Sequence, residues 1–169
     1  ISDALPTDIS GYKQVWDIRF SNVFALTSAQ QLEYLNYLKS GGGIFLMGEN
    51  SSFMSRNDTI FSLISLAGGG TIGFGSGSSY QTVDAPFTGP NAVAHVNYAA
   101  PGYFNNHGTG QWITDDGTYG SGIAFAKGTL ANAANGALTT ILDVNFMQNQ
   151  YDLPNSQNLT KNLMSLREM

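Results

Sequence analysis

The sequence predicts an α/β domain built on a three-layer, mostly parallel, doubly wound sheet, and three observations carry that reading. Between residues 12 and 47 a β-rich segment, an amphipathic helical segment and a compact apolar run follow one another, the order of a strand, a crossover helix and a second strand. A second helical pattern follows at once, and a further strand and helix close the chain from Ala137 onward. The stretch between, about 71–136, is rich in Gly, Ser, Asn and aromatic residues, shows only short apolar runs, and reads as a β-rich insertion in one domain spanning 1–169.

Each element has its own warrant. "YKQVWDIRF" (Tyr12 to Phe20) is β-rich around Val15, Trp16 and Ile18 and follows the turn-like "PTDISG". In "LTSAQQLEYLNYLKSGGG", Ala29, Leu32, Leu35 and Leu38 recur on one helical face, Thr27 or Ser28 is placed to cap with a glutamine three residues later, and Gly41 sits where a left-handed terminator belongs. "GIFLMG" is too short for a helix and does not alternate, which predicts a strand buried on both faces. "SRNDTIFSLISLAGGG" predicts a helix capped by Ser55 or Asn57, with Ile60, Leu63, Ile64 and Ala67 inward and Gly68 ending it.

In the middle region "AVAHVNY", "GQWIT" and "GIAFAKGTL" read as short strands, with "DDGTYGSG" as a turn, forming an antiparallel extension or long loops laid against the main sheet. "ALTTILDVNFMQ" is a further strand, and "NLTKNLMSLREM" places Leu159, Leu163 and Leu166 on one face of a helix capped by Asn155 or Ser156.

Composition narrows the partners. Seven Lys and Arg against twelve Asp and Glu give a net charge of −5, which supplies no basic face for nucleic acid or anionic membranes. No apolar run approaches the roughly 20 residues that cross a bilayer, and the N-terminus shows no basic segment followed by an apolar core. Cysteine is absent, which excludes disulfides, thiolate metal sites and a cysteine nucleophile. Only 11% of residues are charged, and richness in Asn, Gly, Ser and Thr leads to the expectation of a secreted or cell-surface protein. Asn50, Asn57 and Asn158 open glycosylation-type triplets at the frequency chance gives in so Asn- and Ser-rich a chain.

The segments "LPTDISGYKQVWDIRF", "LTSAQQLEYLNYLKSGGGIFLMGEN", "GTLANAANGALTTILDVNFMQNQ" and "NSQNLTKNLMSL" together resemble the class I glutamine-amidotransferase-like superfamily, and within it the non-catalytic branches of gliding-motility and intraflagellar-transport proteins. The shared pattern runs through Asp143, Asn145, Asn162 and Leu163 and covers about half of the chain. Where the enzymes of that superfamily keep a nucleophilic cysteine, this chain has Glu49 and Asn50, so cysteine-dependent glutaminase chemistry is excluded. The resemblance implies a structural or interaction module with a protein partner, itself or a neighbouring subunit. It also implies that "ISDALPTDISGYKQ" corresponds to the middle of such a domain, so the family's first strand–helix unit is expected to be absent, or its place taken by a strand from a neighbour.

Open α/β sheets hold ligands outside the carboxyl ends of their strands. Those ends should carry Asp17 and Arg19, Glu49 and Asn50, and Asp143 and Asn145, with Arg56 near enough to pair with the acids: a polar crevice for hydroxyls or a cation, or a set of capping and strand-end hydrogen bonds. A hydrolase, carbohydrate-active or otherwise, would draw on Glu49, Asp143, His107 and Ser51 or Ser52, although the order Ser, His, Asp and the lack of a small-x-Ser-x-Gly elbow depart from α/β-hydrolases. His95 reads as a half-buried strand residue. Asp115 and Asp116 offer hard oxygens to calcium in a Gly-rich turn without the spacing of an EF-hand. "GGGTIGFGSGS" lacks the Lys-Ser/Thr of a phosphate loop. Tyr80, Phe87, Tyr98, Tyr103, Phe104, Trp112 and Tyr119 suit sugar stacking, a protein interface, or the anchoring of long loops.

Overall fold

The computed structural model describes residues 1–148 and 150–165. Seven strands form one mixed sheet with three α-helices: β1 (Gln14–Asp17), α1 (Ser28–Lys39), β2 (Gly43–Met47), α2 (Met54–Ala67), β3 (Tyr80–Val83), β4 (His95–Asn97), β5 (Gln111–Asp115), β6 (Gly120–Phe125), β7 (Ala137–Ile141) and α3 (Asn155–Met164). The spatial order is β1-β2-β7-β6-β5-β3-β4. Leu166 of the expected closing helix lies outside the described residues.

The expectation of a mostly parallel sheet is corrected. Only β1, β2 and β7 run parallel, while β6, β5, β3 and β4 pair antiparallel. Parallel neighbours need a crossover helix, which α1 supplies between β1 and β2; between α2 and β7 there is no helix, so the strands there return by turns and loops and pair antiparallel. The segments expected as an extension therefore lie in the same sheet, edge to edge with β7. "YQTV", which becomes β3, carried no apolar run, because its buried positions are Gln81 and Val83.

Helix α1 opens with the expected capping box: Thr27 Oγ1 accepts from the Gln30 backbone N–H, and Gln30 returns the bond to the Thr27 N–H. Its buried face differs from the expected one. Tyr34, Tyr37 and Leu38 are buried, while Leu32 is 56% exposed. The reason lies in the hydroxyls, which a hydrophobicity count penalises but which here have partners: Tyr34 donates to Asp17 at 2.9 Å and Tyr37 to the Tyr12 carbonyl at 2.7 Å. Gly42 is required because a Cβ there would overlap the Tyr37 ring.

Helix α2 buries Ile60, Leu63, Ile64 and Ala67 as its spacing predicts, but neither Ser55 nor Asn57 caps it; it continues directly from a short 3-10 turn, Ser51–Phe53, which Asn50 caps through the Ser52 N–H. It ends at Gly68, in the left-handed conformation with φ 88°. At the start of α3 no side-chain cap is made either.

The sheet is apolar on both faces. Tyr34, Leu38, Ile60 and Ile64 pack over Ile44, Leu46, Leu138 and Ile123. On the opposite side Leu159 and Leu163 of α3 join Phe87 and Val93 over Phe45, Met47, Ile141 and Ile113. Of the middle-region aromatics, Phe87, Tyr98 and Phe104 are buried and anchor the long connections, while Tyr80 is 57% exposed and stacks on His95.

A Cβ at position 68 would lie 2.7 Å from the Asn132 nitrogen, at a φ that L-residues avoid. Gly68→Ala is therefore expected to destabilise the domain by at least about 1–2 kcal/mol in urea unfolding, with no change in the unfolding slope.

Candidate functional site

The carboxyl ends of β1, β2 and β7 bring the expected charged residues together, but into two separate clusters whose polar atoms face the protein. In the first, Asp17 closes β1 and is 5% exposed. Arg19 grips it with a fork, Nε to Oδ1 at 2.8 Å and Nη2 to Oδ2 at 2.7 Å, while the Tyr34 hydroxyl donates to Oδ2. Arg56, wholly buried, donates from Nε to the Met47 carbonyl at 3.1 Å and from Nη1 to the Phe24 carbonyl at 3.0 Å. Its Nη2 sits 3.3 Å from Asp17 Oδ2, close enough to pair in charge though not aligned for a hydrogen bond. Burial alone would raise the Asp17 pKa; the Arg19 fork, the Arg56 charge and the Tyr34 hydroxyl outweigh it and hold the carboxyl below its ordinary range. Burial pushes the Arg56 pKa down, against the pull of Asp17.

In the second cluster Glu49, just after β2, is 3% exposed and Asp143, just after β7, is fully buried. Glu49 Oε1 accepts from the Asn50 N–H at 2.8 Å and Oε2 from the Val144 N–H at 3.1 Å. Asp143 Oδ2 accepts from the Ala99 N–H at 3.0 Å, and Oδ1 from the Asn145 N–H at 2.9 Å. Burial raises both carboxyls, for Glu49 against the Asn50 and Val144 donors and with a smaller contribution from Asp143. Both acids are thus engaged by backbone N–H groups. Ala99–Gly102 lies across the edge where a crevice would open: Gly102 N–H donates to the Leu142 carbonyl at 2.6 Å, Asn50 Nδ2 to the Ala100 carbonyl at 3.3 Å, and a Cβ on Gly102 would meet the Glu49 carbonyl at 2.5 Å. Asn145 turns away to Gln148.

The hydrolytic grouping is not assembled. Glu49 is bonded to Asn57 in the first turns of α2, whereas His107 stands edge-on to Trp112 beside Gly69, past the other end of that helix. The 14-residue length of α2 separates them by roughly 20 Å. Ser51 is exposed on the 3-10 turn. Asp115 accepts from the Gly117 N–H of its own turn, and Asp116 from the Thr118 and Tyr119 N–H groups of that turn and from the Ser78 N–H of the segment before β3. Among the described residues no three His, Asp or Glu side chains are grouped so as to hold a metal ion.

Two features were not foreseen. Asn57, read as a cap, is fully buried and ties the Glu49 N–H and carbonyl to α2 through its own amide, at 3.0 and 2.7 Å; a buried Asn on the inner face of an apolar helix was the available signal. Asp84, at the end of β3, lies diagonal to Asp115 across the antiparallel ladder. Burial and then the Asp115 charge push its pKa up to about 6.

A search of solved structures finds a likeness to one titled "mmIFT52 N-terminal domain", with a TM-score of 0.63 and 14% sequence identity, covering 95% of this chain and 75% of that one. No family model matches the chain, and no curated protein matches it. The chain thus has an α/β fold of the kind seen in that intraflagellar-transport domain. At this identity the likeness is one of fold.

The expectation of a secreted or cell-surface location is corrected by the same comparison, since the fold is shared with a domain of a transport complex. The neutral polar composition behind that expectation has a structural use: Asn57, Asn105, Asn132 and Asn162 donate or accept at backbone groups of distant segments, replacing charge with internal hydrogen bonds.

Arg56→Ala removes the donors to the buried Met47 and Phe24 carbonyls and the buried charge that faces Asp17, and is expected to cost about 3–5 kcal/mol in denaturant unfolding. Asp84 holds its proton more tightly folded than unfolded, so stability should fall as pH rises from the ordinary aspartate range through about 6. Asp84→Asn should flatten that dependence in melting curves between pH 4 and 8 (a range of roughly two units either side of that value) and raise the melting temperature at neutral pH.

Proposed function

We propose that the domain is a non-catalytic protein-interaction module, one component of a larger assembly. The observation that carries this reading is the closed carboxyl edge: the position where α/β sheets keep their ligands is filled by Ala99–Gly102, and the acids beneath are bound to backbone N–H groups. The fold likeness to an intraflagellar-transport domain supports the same direction, as does the resemblance of the sequence to the non-catalytic branches of the amidotransferase-like superfamily.

One route to assembly is strand addition. Among the described residues β1 pairs only with β2, and the other side of the strand faces away from the sheet. A strand from a neighbouring chain, including a second copy, would pair along this side of β1, its ends framed by the exposed side chains of Tyr12 and Ile18.

Sedimentation over a wide concentration range tests the route. Tyr12→Lys with Ile18→Lys should leave the melting temperature unchanged and abolish concentration-dependent association, and a strict monomer at all concentrations would remove self-addition. Glu49→Gln and His107→Ala should change no turnover in a hydrolase screen; turnover in the parent chain that either substitution eliminates would sink the non-catalytic reading.

A further inference from the structure

The two edges of the sheet are finished differently. At the far edge β4 has only three residues, and α3 with the turn before it lies against the strand. The Asn97 N–H donates to Asp152 Oδ2 at 2.6 Å, and the Ala92 carbonyl, just before β4, accepts from Asn158 Nδ2 at 3.0 Å. In the β3–β4 ladder the Val83 N–H reaches the Ala94 carbonyl and the Tyr98 N–H the Ser79 carbonyl, so the alternate residues His95 and Asn97 turn their backbone groups outward. Asp152 thus takes one of the two outward N–H donors of β4. A short strand covered in this way is a poor template for another.

β1 has no such cover. Among the described residues the backbone of Gln14–Asp17 makes no hydrogen bond outside the β1–β2 ladder. Gln14, Val15 and Trp16 line a cavity of 280 Å³ together with Pro6, Ile9 and Tyr12, so the strand borders free space. Alternation carried past both ends of β1 puts Tyr12, Gln14, Trp16 and Ile18 on one face, where Trp16 stacks on Phe45 at 4.3 Å. Tyr12 and Ile18, at the two ends of that row, are left 56% and 50% exposed.

We propose that β1 pairs with β1 of a second copy of this chain, antiparallel about a two-fold axis at Val15, and that the assembly stops at two. The inference rests on the reading of β1 as a strand-addition edge; it fixes the partner, the direction and the end point. The register follows from symmetry. A two-fold axis normal to the sheet sets residues of the same face opposite each other, and among such axes only one at Val15 places Tyr12 against Ile18 of the second copy. Each copy's Tyr12 then covers the other's Ile18, one pair at each end of the contact. The end point follows from the far edge. Growth of β1 onto β4 would give an open filament, and β4 is the edge that Asp152 and α3 cover.

The chain contains no cysteine, so single introduced cysteines report the contact directly. Full chains carrying Tyr12→Cys and Ile18→Cys, mixed and treated with diamide, which takes up the electrons lost as two thiols join, should give a disulfide-linked dimer. Either variant alone should give about tenfold less, because like positions in this register lie roughly 20 Å apart, six residues at about 3.3 Å each. Both positions are exposed, so each variant should melt with the parent chain. Sedimentation of the parent chain should resolve monomer and dimer and nothing larger. Linking of Tyr12→Cys to itself marks another pairing and overturns the two-fold register, and species that grow beyond two overturn the closed end point; either result leaves strand addition at β1 standing. A dimer that the mixed cysteines do not link is a contact elsewhere and overturns the proposal. A strict monomer with no cross-link overturns it too and removes self-addition at β1 with it.

Discussion

The charge buried at Arg56 constrains more of this molecule than any other group. A guanidinium cannot shed its proton inside a protein, so the fold must supply acceptors for it wherever it is placed. Three segments do so: the Met47 carbonyl ends β2, the Phe24 carbonyl holds the turn that leads into α1, and Asp17 ends β1. Because Asp17 also receives Arg19 and Tyr34, the same node fixes which face of α1 turns inward. The helix would otherwise bury its leucine stripe. Exposure of Leu32, burial of Tyr34 and the approach of Tyr37 to Gly42 all follow from where that one cation is satisfied.

A second node does for the far side of the parallel strands what Arg56 does for the near side. Glu49 and Asp143 reach the N–H groups of Val144, Ala99 and Ala100, so the segment entering from β4 is drawn over the strand ends. The cost is two desolvated carboxylates, offset by several charge-assisted bonds. Asn57 adds a neutral contact from α2 to the same loop. A sheet edge that in open α/β sheets faces a ligand is here covered by the surface segment Ala99–Gly102.

Much of the framework was legible in the sequence because its signals are local. Thr27 and Gln30 announce their helix by spacing, and Gly43–Met47 announces a doubly covered strand by lack of alternation. Strand direction carries no such signal. Nothing in "GIAFAKGTL" distinguishes a parallel from an antiparallel neighbour, and that choice follows from whether a helix or a turn lies between. The charged residues stand at the carboxyl ends because topology places them there, but they fall into two clusters rather than one crevice, and their partners were not legible, because a backbone N–H from residue 99 has no trace in the sequence around residue 143. Tyr34 and Tyr37 escaped because their burial depends on acceptors supplied by Asp17 and Tyr12, more than a turn of helix away in any pattern.

The position of β7 in the sheet has a kinetic meaning. It lies between β2 and β6, so the parallel and antiparallel halves are joined only through a strand made late in the chain; Ile44 and Thr139, which touch across the β2–β7 pair, are 95 positions apart. Closing so long a loop must precede any gain from the central pairing. During synthesis β1, β2 and their helices emerge well before the strand that covers them, leaving the apolar edge of β2 open for the time it takes to make the middle region. Chain order thus makes the centre of this sheet the last part to be completed.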